Sequence, residues 1–123
     1  MPQYLIAGAE DPEEQPTDER CYIREILNDA RVPEVSLAEA RVEAGITTQW
    51  HRVGVSEWYV IRRGEGLMEV GDESFPVQAG DSVAIPAGVG QRITNTGSED
   101  LCFECICTPR FRPELYENID PES

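Results

Sequence analysis

Lysine is absent from this 123-residue chain: all ten basic residues are arginine, set against 24 acidic ones. Histidine occurs once, as His51, so a site that needs two imidazoles cannot be assembled within one copy. The net charge of −14 creates a field that repels phosphate backbones and anionic headgroups, which excludes nucleic acid and membrane surfaces as expected partners. A solvated acidic surface explains that charge, and adaptation to a salty cytoplasm is a second reading. Long apolar runs are also missing, none approaching the roughly 18 residues of a membrane span. The opening residues, Met-Pro-Gln-Tyr-Leu-Ile-Ala-Gly-Ala-Glu, lack the basic start and apolar centre of a secretion signal. A cytoplasmic location is the expectation.

Cysteine is scarce and unpatterned. Of Cys21, Cys102, Cys105 and Cys107, three alternate along one apparent strand, and buried reduced thiols are the expected state. Cys102 and Cys105 form one C-x-x-C, but on an extended strand their side chains point to opposite faces. A shared metal or redox pair is therefore not expected there.

Helical periodicity is the next absence. Short apolar runs instead fit strands at 21–27, 35–43, 47–53, 57–62, 66–70, 74–77, 82–85, 89–94 and 101–108. Turn residues separate them: Gly71-Asp72, Ala79-Gly80-Asp81, Pro86-Ala87-Gly88 and Asn95-Thr96-Gly97. Residues 36–42 carry enough helix formers to be ambiguous, and a short helical turn is expected after Pro113. Residues 8–19 are acidic and proline-bearing with little to bury, and read as a loop or arm. The expected organisation is an arm at 1–19, a single antiparallel sandwich or barrel at 20–112, and a turn and tail at 113–123.

Two stretches carry the chemistry. In the first, Gly45, His51, Val53, Glu57 and Gly64 stand at fixed intervals; in the second, Gly80, Pro86, Gly88, Gln91 and Asn95 do. The pair resembles the two motifs of the cupin superfamily, G-x5-H-x-H-x3–4-E-x6-G and G-x5-P-x-G-x2-H-x3-N, in its small single-domain bacterial members. Eight of the ten positions match; Val53 and Gln91 stand where the family has histidines. The resemblance implies an all-β, double-stranded β-helix or jelly-roll barrel. It leaves activity open, because one scaffold hosts many chemistries.

Strand parity gives the same site without the family. Gln49, His51 and Val53 share one face, Glu57, Tyr59 and Ile61 a second, and Gln91 and Ile93 a third. If those faces line a barrel interior, His51, Glu57 and Gln91 converge there beside Gln49 and Tyr59. Small barrels fill that space with apolar side chains, so a polar cluster needs a reason. One reason is a divalent metal (Fe, Mn, Ni or Zn) held by His51 and Glu57, with Gln91 supplying a weak carbonyl ligand. The other is that His51, Glu57, Gln49 and Gln91 hydrogen-bond one another around a small molecule. In either case Gln49, Tyr59 and Gln91 are candidate substrate-binding residues, and Tyr59 is the candidate proton donor. Cys105 is a minor nucleophile candidate.

Two functional classes follow. The first is a small-molecule-binding barrel, with or without a weakly held metal and dioxygenase- or isomerase-like activity. The second is a non-enzymatic ligand-binding or sensor module with a degenerate metal site. Parity also turns Trp50, Trp58 and Val60 outward, and an exposed apolar surface of that kind suggests a homodimer, as is common among small cupins.

Overall fold

The computed structural model describes residues 2–8 and 13–121. Its strands are β1 (Gln15–Pro16), β2 (Tyr22–Leu27), β3 (Ser36–Val42), β4 (His51–Val53), β5 (Ser56–Arg63), β6 (Glu65–Val70), β7 (Glu73–Gln78), β8 (Ser82–Ile85), β9 (Gln91–Asn95), β10 (Leu101–Thr108) and β11 (Tyr116–Asn118). A single 3₁₀ turn, Pro113–Leu115, precedes β11. The strands form two antiparallel sheets, β1-β2-β3-β10-β5-β8 and β11-β4-β9-β6-β7. The expected jelly-roll sandwich is the observed fold.

Residues 36–42, ambiguous in sequence, form β3 because that strand is paired on both edges, by β2 and by β10. Pairing on both edges outweighs the modest helix preference of Leu-Ala-Glu-Ala-Arg. Inward faces follow the expected alternation. On β5, Glu57, Tyr59 and Ile61 are buried while Trp58 is exposed; on β9, Gln91, Ile93 and Asn95 are buried. Between the sheets Val42, Ile61, Met68, Ile93, Leu101 and Phe103 form one apolar cluster. Each such side chain contributes about 1.5–3 kcal/mol on burial, which holds the sheets face to face.

The motif residues outside the site have structural duties. Gly64 sits at φ +89°, and a Cβ there would meet the Asp100 carbonyl oxygen at 2.7 Å. Only glycine fits that turn without strain. Asn95 is 1% exposed. It donates to the Val42 and Glu99 carbonyls at 2.9 and 2.7 Å and accepts from the Gly97 N–H at 2.9 Å. It therefore fastens the β9–β10 turn to β3.

Strand pairing extends into both flanks of the central barrel. β1 pairs with β2, so the second half of the acidic segment is ordered against the larger sheet. β11 pairs with β4, placing Asn118 opposite His51. The outward tryptophans do not make one patch. Trp58 lies on the larger sheet, whereas Trp50 sits beside the smaller one, against Gly90 and Ile119 and under the Arg92 guanidinium at 5.4 Å. Among the described residues no helix is long and apolar enough to cross a membrane.

Candidate functional site

Between the two sheets lies a cavity of about 250 Å³. Its walls are apolar where Ile23, Leu37, Ala40, Phe103 and Phe111 contribute, and polar where Glu19, His51 and Glu57 do. His51 opens β4 and is held in register with Gln91 of β9. Glu57 is on β5, opposite Cys107 of β10 and Ile85 of β8. The first two site residues thus come from opposite sheets and line the same cavity.

The tautomer of His51 follows from its neighbours. Its Nδ1 lies 2.7 Å from the Gln49 carbonyl oxygen, which can only accept, so Nδ1 carries the hydrogen. That leaves the Nε2 lone pair in the cavity. Burial holds the imidazole below its ordinary pKa, so it is neutral at physiological pH. The ring stacks on Tyr116, centroids 4.9 Å apart and planes inclined by 18°. The Tyr116 hydroxyl donates to Gln49 Oε1, so the imidazole is fixed by both ends of one glutamine.

Two carboxyl groups share the polar end. Glu57 Oε1 accepts a 2.9 Å hydrogen bond from Gln91 Nε2. Burial nonetheless raises Glu57 to about 7, with the Gln91 and Cys107 hydrogen bonds pulling the other way. Glu19 is also raised to about 7, first by burial and then by the like charge of Glu57. Its Oε1 is 3.8 Å from His51 Nε2, beyond hydrogen-bond reach. Among the described residues neither carboxyl has a compensating cation in the cavity lining, and both ionise with difficulty below neutral pH.

The remaining candidates take the following places. Tyr59 lines the cavity, stacked on Phe103 with centroids 4.4 Å apart. Burial and Glu57 push its phenol far up, so it stays protonated. Gln91 lies outside the lining, bonded to Glu57, with its Oε1 buried and without a hydrogen-bond partner among the described residues. Gln49 is likewise outside the lining and acts through His51 and Tyr116. Cys21, Cys105 and Cys107 line the cavity as free thiols, and burial raises all three, Cys21 and Cys107 to about 12. That makes them poor nucleophiles. Cys102 is on the other face, 3.6 Å from an Arg63 nitrogen. Arg41 is committed to Glu14 and Asp100, and Arg92 to Glu69.

Two site residues escaped the sequence analysis, Glu19 and Tyr116. Glu19, Cys21, Ile23 and Glu25 all line the cavity, so the inward parity of β2 continues backwards into the acidic segment. That alternation was the available signal. For Tyr116 no local pattern exists, since β11 is three residues long and isolated at the C-terminal end.

Against known proteins, residues 38–107, more than half of the chain, match the family model described as "Cupin domain". The chain belongs to the cupin family. An uncharacterised protein of Methanocaldococcus jannaschii is 37% identical over 107 residues, covering 85% of this chain and 86% of that one. Among solved structures, a Lactobacillus farciminis oxalate decarboxylase in complex with formate superposes with TM-score 0.76 at 21% identity, covering 89% of this chain. This cupin spans 34% of that decarboxylase's length. KdgF from Halomonas sp. gives TM-score 0.71 at 13% identity, covering 80% of this chain and 89% of that one. A predicted oxalate decarboxylase of Thermotoga maritima gives 0.72 at 23% identity, covering 85% and 99% respectively. At these identities the structural likeness establishes the fold alone.

The metal implied by the family can be tested on the donor set. Three imidazoles and a carboxylate reduce here to His51 and Glu57, because Val53 has no lone pair and Gln91 turns an N–H donor on Glu57. Among the described residues no three His, Cys, Asp or Glu side chains gather in a metal-holding group. The residues present do not fit the family's four-ligand centre.

Proposed function

We propose that this cupin binds a small organic molecule in the cavity between its sheets, with the polar end of the ligand at His51, Glu57 and Glu19. The observation that carries this reading is the imidazole Nε2. It is held by its ring partners in a buried, neutral form, facing a cavity of about 250 Å³ and making no hydrogen bond among the described residues. An acceptor that faces a cavity in this way is satisfied by a ligand that donates to it. The volume lies just below the range of drug-sized ligand sites, which start at about 300 Å³, so the ligand is small. In this reading Gln91 positions Glu57, Gln49 positions His51, and Tyr59 is a phenol donor on the wall.

The metal-dependent reading gives His51, Glu57 and Gln91 the role of ligands to Fe, Mn, Ni or Zn and adds dioxygenase- or isomerase-like chemistry. Its support is the partnerless Gln91 Oε1, which an amide flip would aim at Glu57, and the family itself. The donor chemistry above favours the metal-free reading. A thermal-shift screen of small alcohols, amines, acids and sugars, run with chelator, tests the choice. Stabilisation in the presence of chelator supports the metal-free reading. Stabilisation that vanishes with chelator, together with metal retained by the wild type and lost in His51→Ala, overturns it. A homodimer through the Trp58 and Val60 face and a cytoplasmic location complete the proposal.

A further inference from the structure

The charges around the cavity define its ligand more narrowly. Three carboxyl groups (Glu19, Glu25 and Glu57) line it, and none of its lining residues is an arginine. Two arginines that neighbour lining residues are held by partners outside the polar end. Arg20 donates to the Thr47 and Thr48 carbonyls and pairs with Asp120 at 2.8 Å, and Arg110 donates to Asn28 at 2.8 Å. His51 supplies no charge and presents only a lone pair. His51, Glu19 and Glu57 therefore offer an acceptor and negative charge, the donors on the lining, such as the Tyr59 phenol and the Thr48 hydroxyl, are neutral, and among the described residues no lining cation compensates an anion. A carboxylate ligand would enter with unpaired charge and meet two buried acids. An ammonium would find acceptors and countercharge on three sides.

We infer that this cavity selects a small organic cation, an ammonium head seated between Glu19, Glu57 and His51 with its apolar body against Ile23, Phe103 and Phe111. The inference rests on the ligand-binding reading of the cavity and specifies the class of ligand. The body must be apolar because the walls beyond the polar end carry aliphatic and aromatic carbon. A bare metal ion would leave that surface unfilled.

Three probes of one shape isolate the head group: cyclohexylammonium, cyclohexanol and cyclohexanecarboxylate. Each is titrated calorimetrically into the full chain at about pH 8.5, below the ordinary pKa of an alkyl amine, with EDTA present to remove metal. Cyclohexylammonium is expected to bind at least about tenfold more tightly than cyclohexanol, the ratio of a charge-assisted to a neutral hydrogen bond. The carboxylate is expected to bind more weakly than the alcohol. Glu19→Gln should abolish most of the ammonium's advantage and leave cyclohexanol within about twofold. This variant keeps the fold's own link at that position, since the bond there is Gln49 N–H to the Glu19 backbone carbonyl, 2.9 Å. Glu57→Gln should act the same way, and Glu73→Gln, an exposed carboxylate on β7, should change nothing. Equal binding of all three probes, or tighter binding of the carboxylate, overturns the inference. Binding of cyclohexanol without the ammonium overturns it too, while leaving the ligand-binding reading intact. If none of the three binds, both fall.

Discussion

Replacing Glu57 by glutamine should stabilise this protein at alkaline pH and leave it nearly unchanged at acid pH. Glu57 is 7% exposed, and burial raises its carboxyl from 4.5 to about 7 in the folded state. The folded chain therefore holds a proton there that the unfolded chain has already released. Between 4.5 and about 7, raising the pH draws that proton off and favours unfolding. Worked at 1.36 kcal/mol per pH unit, this amounts to about 3 kcal/mol as an upper bound, complete above about pH 7. Glu19 is raised to about 7 as well and adds a slope of the same sign, reduced by its 26% side-chain exposure. His51 acts oppositely: its folded pKa lies below the ordinary 6.5, so below that value the unfolded state gains a proton that the folded state refuses. With two carboxyls against one imidazole, the net slope from pH 5 to 8 is negative. Urea unfolding at pH 5, 6, 7 and 8, for wild type and Glu57→Gln in chelator, reads it directly. Wild-type stability should fall over that range, and the variant should lose part of the fall and exceed the wild type at pH 8. A wild-type stability that is flat or rises from pH 5 to 8, or a variant with an unchanged slope, would refute the reasoning.

Two further outcomes follow from the geometry. Gly64→Ala should destabilise by about 2 kcal/mol or more, from the positive φ and the close Asp100 carbonyl; a loss within 0.5 kcal/mol, on the order of a neutral surface change, would contradict this. In native protein at about pH 8, a thiol reagent should modify Cys102 first, with Cys21 and Cys107 protected by burial that lifts both to about 12. Mass mapping that finds Cys107 labelled ahead of Cys102 would be inconsistent with the wall as described.

The legible part of this chain was the part governed by short range. Alternation placed Glu57, Tyr59 and Ile61 inward on β5 and Gln91 and Ile93 inward on β9, and turn residues marked the bend that begins at Asn95. Glu19 was missed because its acidic, proline-bearing surroundings read as a solvated loop and masked the alternation that continues from β2. What seats it is remote: the Gln49 N–H on its carbonyl, and Arg20 reaching Thr47, Thr48 and Asp120. Arg20 itself takes a left-handed φ of 69° to turn the chain there. Tyr116 was hidden for the same reason, since its place beside His51 depends on the β11–β4 pairing across more than 60 residues. The outward faces were legible singly, yet not in combination, because parity does not say which sheet Trp50 and Trp58 belong to.

The most direct test of the account is a crystal structure grown with cyclohexylammonium and EDTA. Density is expected for one small organic molecule between Phe103 and His51, its nitrogen within hydrogen-bond distance of His51 Nε2 and of a Glu19 or Glu57 oxygen. A cavity closed by its own side chains, or a His51 ring turned out to solvent, would contradict it.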